Sequence, residues 1–173
     1  MVAMAKQLTN PAQGQKIDLV ITTPRGIKFE EKADMVIMRC IDGDLGVLPG
    51  HVPVSAVLGD GIFRIINDGM EKKLAVFGGI AEIGDDRVNV FSTIAQRPEE
   101  IDRERAEADR RLAEATIQEE SEAQQIRKLQ VLLRHALIRI EVSSHLEEAE
   151  YVKLDSEEKQ EGEDKSDQEG KEG

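Results

Sequence analysis

Tryptophan is absent from the chain, and cysteine and tyrosine each occur once, beside four phenylalanines. A solitary Cys40 rules out any disulfide within the chain. Its position inside the apolar run Met35–Ile41 marks it as a buried structural thiol rather than a nucleophile. So few aromatics leave a core of valine, isoleucine and leucine, and an apolar fraction of 39% confines that core to part of the 173 residues. Nowhere does an apolar run approach the ~20 residues of a membrane span. The opening MVAMAKQLTNPAQGQ lacks the apolar stretch of a signal peptide and reads as a polar leader over 1–15, with Met4 an alternative start. The expectation is a soluble, cytosolic protein, still able to attach to a membrane-bound assembly.

Positive charge is also scarce, with 23 Lys and Arg against 35 Asp and Glu for a net −12. Nucleic acid and a bare anionic membrane are therefore excluded as partners, since both need a basic patch. From Asp155 to Gly173 nine acids face three lysines. That composition buries too little apolar area to order itself and predicts a disordered acidic tail over 146–173. Catalytic signatures are missing too. No Gly-x-Ser-x-Gly or Walker loop occurs, and His51, His135 and His145 lie too far apart to suggest a metal site. Asp42 and Asp44 hint at a calcium loop, but Gly46, Val47 and Pro53 stand where its remaining ligands and glycine belong. The expectation is a non-catalytic protein with no metal.

What the chain does have is two contrasting halves. Residues 16–96 alternate apolar and polar residues with period two, as in Ile17, Leu19 and Ile21, and turn signals recur every eight to twelve residues. Pro24-Arg25-Gly26, Gly59-Asp60-Gly61, Asn67-Asp68-Gly69 and Gly84-Asp85-Asp86 are such signals, the third a strong hairpin marker. The pattern predicts a β-sandwich or small barrel of about ten short strands. In Ala33–Ile41, Met35, Ile37 and Arg39 fall on one face and Val36, Met38 and Cys40 on the other, as for a strand between two layers. Its organising feature is Ile41–Leu58, IDGDLGVLPGHVPVSAVL. Glycines and prolines forbid a helix or central strand there, while Leu45, Val47 and Leu48 anchor a shaped loop to the sheet. Asp44 is expected to project from a rigid turn. His51 is either a structural histidine bonding the loop backbone or a contact residue.

At Arg97-Pro98 the period changes. From Glu99 to about His145 there is neither glycine nor proline, and Pro98, Glu99 and Glu100 suit a helix start. Ile101, Ala108, Leu112 and Ala115 make the apolar side of a first helix. Ile126, Leu129, Leu132, Leu133, Ala136, Leu137 and Ile140 make that of a second. Ser121-Glu122-Ala123-Gln124 matches a capping box, so an antiparallel hairpin over 97–145 is the leading reading, with one long helix as the alternative. The fold class is therefore α+β, β then α. Asp102 with Arg105 at i, i+3 reads from composition alone as a weak ion pair on a solvated helix.

The loop Gly46-Val47-Leu48-Pro49-Gly50-His51 with Pro53, the turn Phe77-Gly78-Gly79 and the terminal helical pair closely resemble the epsilon subunit of bacterial F-type ATP synthase, over roughly Lys16 to Val142. The resemblance implies an N-terminal β-sandwich followed by two α-helices. It implies a non-catalytic rotor subunit on the cytoplasmic face of the bacterial plasma membrane, coupling proton flow to ATP synthesis. The expected partners are the gamma subunit and the c-ring, with Asp44, Leu48, Pro49, Gly50 and His51 forming the contact loop and Asp44 facing the ring's polar loops. The resemblance further implies that the helices restrain ATP hydrolysis when they extend along gamma into the alpha/beta head, where Arg127, Lys128, Arg134 and Arg139 meet acidic loops. Some relatives bind ATP through an I-D-x-x-R-A motif, matched here by Ile101, Asp102, Arg105 and Ala106, with Arg139 from the second helix. Gln96, Leu112 and His135 depart from that pattern, so ATP enters as a candidate weak regulatory ligand, and no cofactor is required. A free-standing nucleotide sensor and a sandwich adaptor for another coiled coil are the competing classes.

Overall fold

The computed structural model describes residues 15–84 and 86–144. The leader up to Gly14, Asp85, His145 and the acidic tail lie outside the described residues. Two compact units emerge, one of residues up to 72 with 76–95, the other of 73–75 with 96 onward.

The first unit is built on eight strands: β1 (Ile17–Thr23), β2 (Gly26–Ala33), β3 (Met35–Cys40), β4 (Gly43–Val47), β5 (Val54–Asn67), β6 (Met70–Gly84), β7 (Arg87–Phe91) and β8 (Ile94–Gln96). Hydrogen bonding links them in the order β2-β1-β7-β6-β5-β3-β4, with β8 paired to β6. The β1–β2, β3–β4, β3–β5 and β6–β7 pairs are antiparallel, and β1 with β7 is parallel. Alternation does the sorting: Ile17, Leu19 and Ile21 are buried, as are Val36 and Met38 on β3 and Val88 and Val90 on β7. Phe63 and Ile65 of β5 fill the same interior. The hairpin at Asn67-Asp68-Gly69 forms as the sequence requires, with Asp68 at φ 50° and Gly69 at φ 78°, the paired positive values of a type I′ turn.

The β-sandwich followed by two helices stands, but among the described residues eight strands replace about ten. Gly59-Asp60-Gly61 does not end a strand. It sits inside the 14-residue β5, where the register against β3 slips between Ile37↔Arg64 and Cys40↔Leu58. Gly78-Gly79 likewise lies within the 15-residue β6, both glycines at positive φ. Glycine here absorbs an irregularity and lets one long strand continue, where local propensity read a turn. The stretch Ile41–Leu58 is also less irregular than expected, because Gly43–Val47 pairs with β3 as the strand at one end of the sheet order.

In the second unit Pro98–Glu100 makes a single 3-10 turn, and Ile101 returns to an extended backbone. Helix α1 then runs Arg103–Glu119, five residues later than a start at Pro98 would place it. A second helix, α2, covers residues 123–144. The chain between them is extended at Glu120, φ −86° and ψ 136°, so two helices form rather than one. Glu120 braces this link, its carboxylate accepting the Ser121 and Glu122 N–H groups at 2.9 Å. The expected capping box at Ser121 does not start the helix, whose first bond is instead the Ile126 N–H donating to the Glu122 carbonyl at 3.0 Å.

The buried helix faces differ from the apolar tally. Ala108, Leu112 and Ala115 are exposed, Leu112 at 68%, while Ala106 and Ala113 are buried with Arg110 and Ile117 beside them. Leu132 and Leu137 of the predicted α2 stripe are also exposed, and Ala136, Ile138 and Val142 take the interior. Helix contact faces select small residues at 3–4 spacing that allow close approach, which a count of large apolar side chains misses.

Candidate functional site

The loop after β4 is shaped by a type II turn. His51 N–H donates to the Leu48 carbonyl at 3.1 Å, with Pro49 supplying fixed φ and Gly50 the required positive φ of 79°. The His51 imidazole Nδ1–H donates to the Val52 carbonyl at 2.7 Å, the bond that the first of its two expected roles requires. One anchor was not legible in the sequence. Gly50 N–H donates to Asp86 Oδ1 at 2.6 Å, and Asp86 Oδ2 accepts from the Gln15 side chain. The Asp86 carbonyl in turn accepts Asp18 N–H at 2.8 Å. A residue between β6 and β7 therefore holds the Pro49-Gly50 turn to the sandwich. The only signal was a pair of acids after Gly84, which reads simply as a turn.

Asp44 lies on β4 itself, not on a turn. Its cross-strand neighbour is Arg39, whose Nη1 meets Asp44 Oδ1 at 2.9 Å with both side chains more than half exposed. The space for Arg39 comes from Gly61, where an added Cβ would fall 2.5 Å from Arg39 Cβ and 2.8 Å from its Cγ. Arg64 stands nearby, its guanidinium raised above the ordinary value by a hydrogen bond to Glu71 and, in smaller part, by the field of Asp44. Burial, then Asp42 and Asp44, push the Cys40 thiol up, which keeps it protonated and unreactive. Leu48 stays half exposed at the head of the turn.

A second constellation belongs to the helical unit. Asp102 is the N-cap of α1, its Oδ1 accepting Arg105 N–H at 3.0 Å, so the expected Asp102–Arg105 ion pair is instead a helix cap. Asp102, Arg105, Ala106 and Arg139 line one cleft of about 320 Å³ together with Gln96, Glu100 and Asp109. Residue 139 of α2 thus meets the first turn of α1, which requires the helices to run antiparallel. Arg139 Nε donates to Gln96 Oε1 at 2.8 Å, which aims the guanidinium. Ile101 is half buried beside the cleft rather than part of its wall. Three carboxylates and two guanidiniums make the lining mildly acidic. Arg127, Lys128 and Arg134 are exposed on α2, away from these lining residues. Among the described residues no three acids, histidines or cysteines gather as a metal would need.

A sandwich with a braced turn and an exposed carboxylate, joined to a capped helical pair, defines a protein that works by making contacts. Residues 16–98 match the family model described as the ATP synthase, delta/epsilon chain, beta-sandwich domain. The ATP synthase epsilon chain of Bacillus velezensis is 37% identical over 125 residues, 72% of this chain and 95% of that relative. That of Bacillus subtilis is 39% identical over 123 residues, 71% and 93% respectively. A chain in the Euglena gracilis mitochondrial ATP synthase OSCP/F1/c-ring structure shares the fold, with a TM-score of 0.57, 24% identity, and coverage of 86% of this chain and 90% of that one. The chain belongs to the ATP synthase epsilon chain family. It is a rotor or central-stalk subunit of the complex rather than a catalytic one.

Proposed function

We propose that this subunit couples proton translocation to ATP synthesis by fixing the c-ring to gamma, and that its helices restrain ATP hydrolysis. The observation that carries the coupling role is the braced loop. Turn, histidine and Asp86 anchor hold Leu48, Pro49, Gly50 and His51 in one conformation, and Asp44 offers a carboxylate on the neighbouring strand. A preorganised charged loop sets register on a basic partner, such as polar loops of the c-ring, more than it supplies affinity. Attachment is peripheral, at the cytoplasmic face of a bacterial plasma membrane, and among the described residues no helix is long and apolar enough to cross a bilayer.

The brake is supported by α2, whose Arg127, Lys128 and Arg134 are exposed beside incompletely buried leucines. Released from α1, that face would pack on gamma while the cations, Arg139 included, meet acidic loops of the alpha/beta head. A ligand biases such a switch only by its differential affinity for the two packings. Deleting residues beyond Gln96 should leave assembly intact and raise ATP hydrolysis. Unchanged hydrolysis in an assembled complex would overturn the braking role.

ATP sensing is the second reading, favoured by the convergence of Asp102, Arg105, Ala106 and Arg139 on one cleft. Its volume is at the low end of the ~300–1,000 Å³ of small-molecule sites. Because three acids share the lining, a triphosphate must lie towards Arg105 and Arg139, and binding is weak. Calorimetry with MgATP should show heat in the full chain and none after Arg139→Ala. Silence from the full chain at millimolar ligand would remove ATP from the account.

A further inference from the structure

Along α2, residues 123–140 carry Arg127, Lys128, Arg134 and Arg139 without a single acid, inside a chain of net charge −12. On α1, by contrast, three of the four arginines are matched within the helix. Arg103 and Arg111 pair with Glu107, and Arg110 pairs with Glu114. Arg127, Lys128 and Arg134 are exposed and enter none of the ion pairs formed among the described residues. Arg127 and Arg134, seven residues apart, project within about 20° of each other, with Lys128 about 100° round the helix. Arg139 differs, being half buried and bonded to Gln96.

The same chain supplies an opposite charge a short way on. After His145 come twelve acids against four lysines, nine of the acids lying between Asp155 and Glu172. Reach is sufficient. Arg127 is 17 residues before Ser144, about 26 Å along a helix. The eleven steps from Ser144 to Asp155 can span up to about 35 Å.

We propose that the acidic segment Asp155–Gly173 docks on the basic strip Arg127, Lys128 and Arg134 of α2, where it competes with any acidic partner surface for those cations. Each exposed pair contributes little on its own, because solvent screens it. The contact therefore depends on several pairs acting together and on the tether, which holds the segment at an effective concentration of order millimolar. Such a mask is dynamic, salt-sensitive and readily displaced by a better-organised acidic surface. The contact stands on charge and reach alone; its effect on hydrolysis rests on the braking role proposed above.

Carbodiimide coupling joins a carboxylate to a lysine amine only in direct contact, which makes Lys128 a reporter in the full-length protein. Mass spectrometry at low salt should find Lys128 joined within the same molecule to a carboxylate between Asp155 and Glu172. The yield should fall at least about fivefold at ~0.5 M salt, where screening shrinks to a few ångströms. It should also fall with Arg127→Gln and Arg134→Gln together. No such linkage, linkage only between molecules, or a yield indifferent to salt would overturn the docking and leave the segment a solubilising one. A second variant carries amides in place of the nine acids. If the mask opposes the brake, this variant inhibits ATP hydrolysis several-fold more strongly than the natural chain when bound to the complex. Linkage without any change in inhibition would keep the docking and refute the competition, the brake itself being tested by the deletion beyond Gln96.

Discussion

Substitution at Asp44 and at its neighbour Arg39 should move partner binding in opposite directions while barely touching the fold. Their ion pair is 2.9 Å long but more than half exposed on both sides. Its worth to folding is therefore about 0.5 kcal/mol, or roughly 1–2 °C in melting temperature for a chain of this size. A basic group of the partner about 4 Å from the Asp44 carboxylate, in surroundings of intermediate dielectric, would gain about 2 kcal/mol. Freeing Asp44 from Arg39 takes back about 0.5 kcal/mol of that. Asp44→Asn should accordingly weaken association by about 1.5 kcal/mol, roughly tenfold. Arg39→Gln removes the internal competitor and should tighten association about twofold. The assay is titration of each variant onto a complex lacking this subunit, repeated across salt concentrations, since an exposed charge contact is screened. Equal weakening by both substitutions would refute the competition, because the pair would then act as one unit. A fall of more than about 5 °C in the Asp44→Asn melting temperature would show instead that the carboxylate supports the fold.

Two further outcomes follow from the sandwich. Gly79, at φ 124°, has no room for a side chain, since a Cβ would run into the Phe91 carbonyl oxygen and come within 3.0 Å of Ser92 Cα. Both are backbone atoms held by the Ile80↔Phe91 pairing, so Gly79→Ala should cost about 3–4 kcal/mol in strain and lost pairing. Gly50→Ala, with nothing within 4 Å but φ 79°, should cost only about 1 kcal/mol. Denaturant unfolding that ranked the two equally would contradict the close approach. The Asp34 carboxyl is held below its ordinary value of 3.8, first by the Asp68 N–H and then by Lys16, against the opposing effect of desolvation. A depressed carboxylate stabilises the fold fully above pH 3.8, and the contribution disappears as pH falls through the folded value. Asp34→Asn should flatten the loss of stability below pH 3.8 in urea midpoints, and an unaltered acid limb would exclude this group as its source.

Turn chemistry and period were legible because they are local. Asn67-Asp68-Gly69 and Pro49-Gly50 prescribe their turns through the φ values those residues accept, and the change of period at Pro98 separates sheet from helices. The loop signature is local in the same way and points to the family by itself. Strand number was not local: Gly59–Gly61 and Gly78–Gly79 carry turn chemistry, yet pairing with neighbouring strands runs straight through them. Nor was the inner face of α1, where Ala106 and Ala113 prevail over Leu112 because close approach outweighs side-chain size. The partners of the site residues were hidden for the same reason. Gly50 finds Asp86 36 positions away, and Arg139 finds Gln96 across 43. A residue's own chemistry determines which backbone shapes and periodicities it allows. Which distant group completes its hydrogen bonds or covers its surface is settled only when the chain has folded and desolvation leaves no other partner within reach.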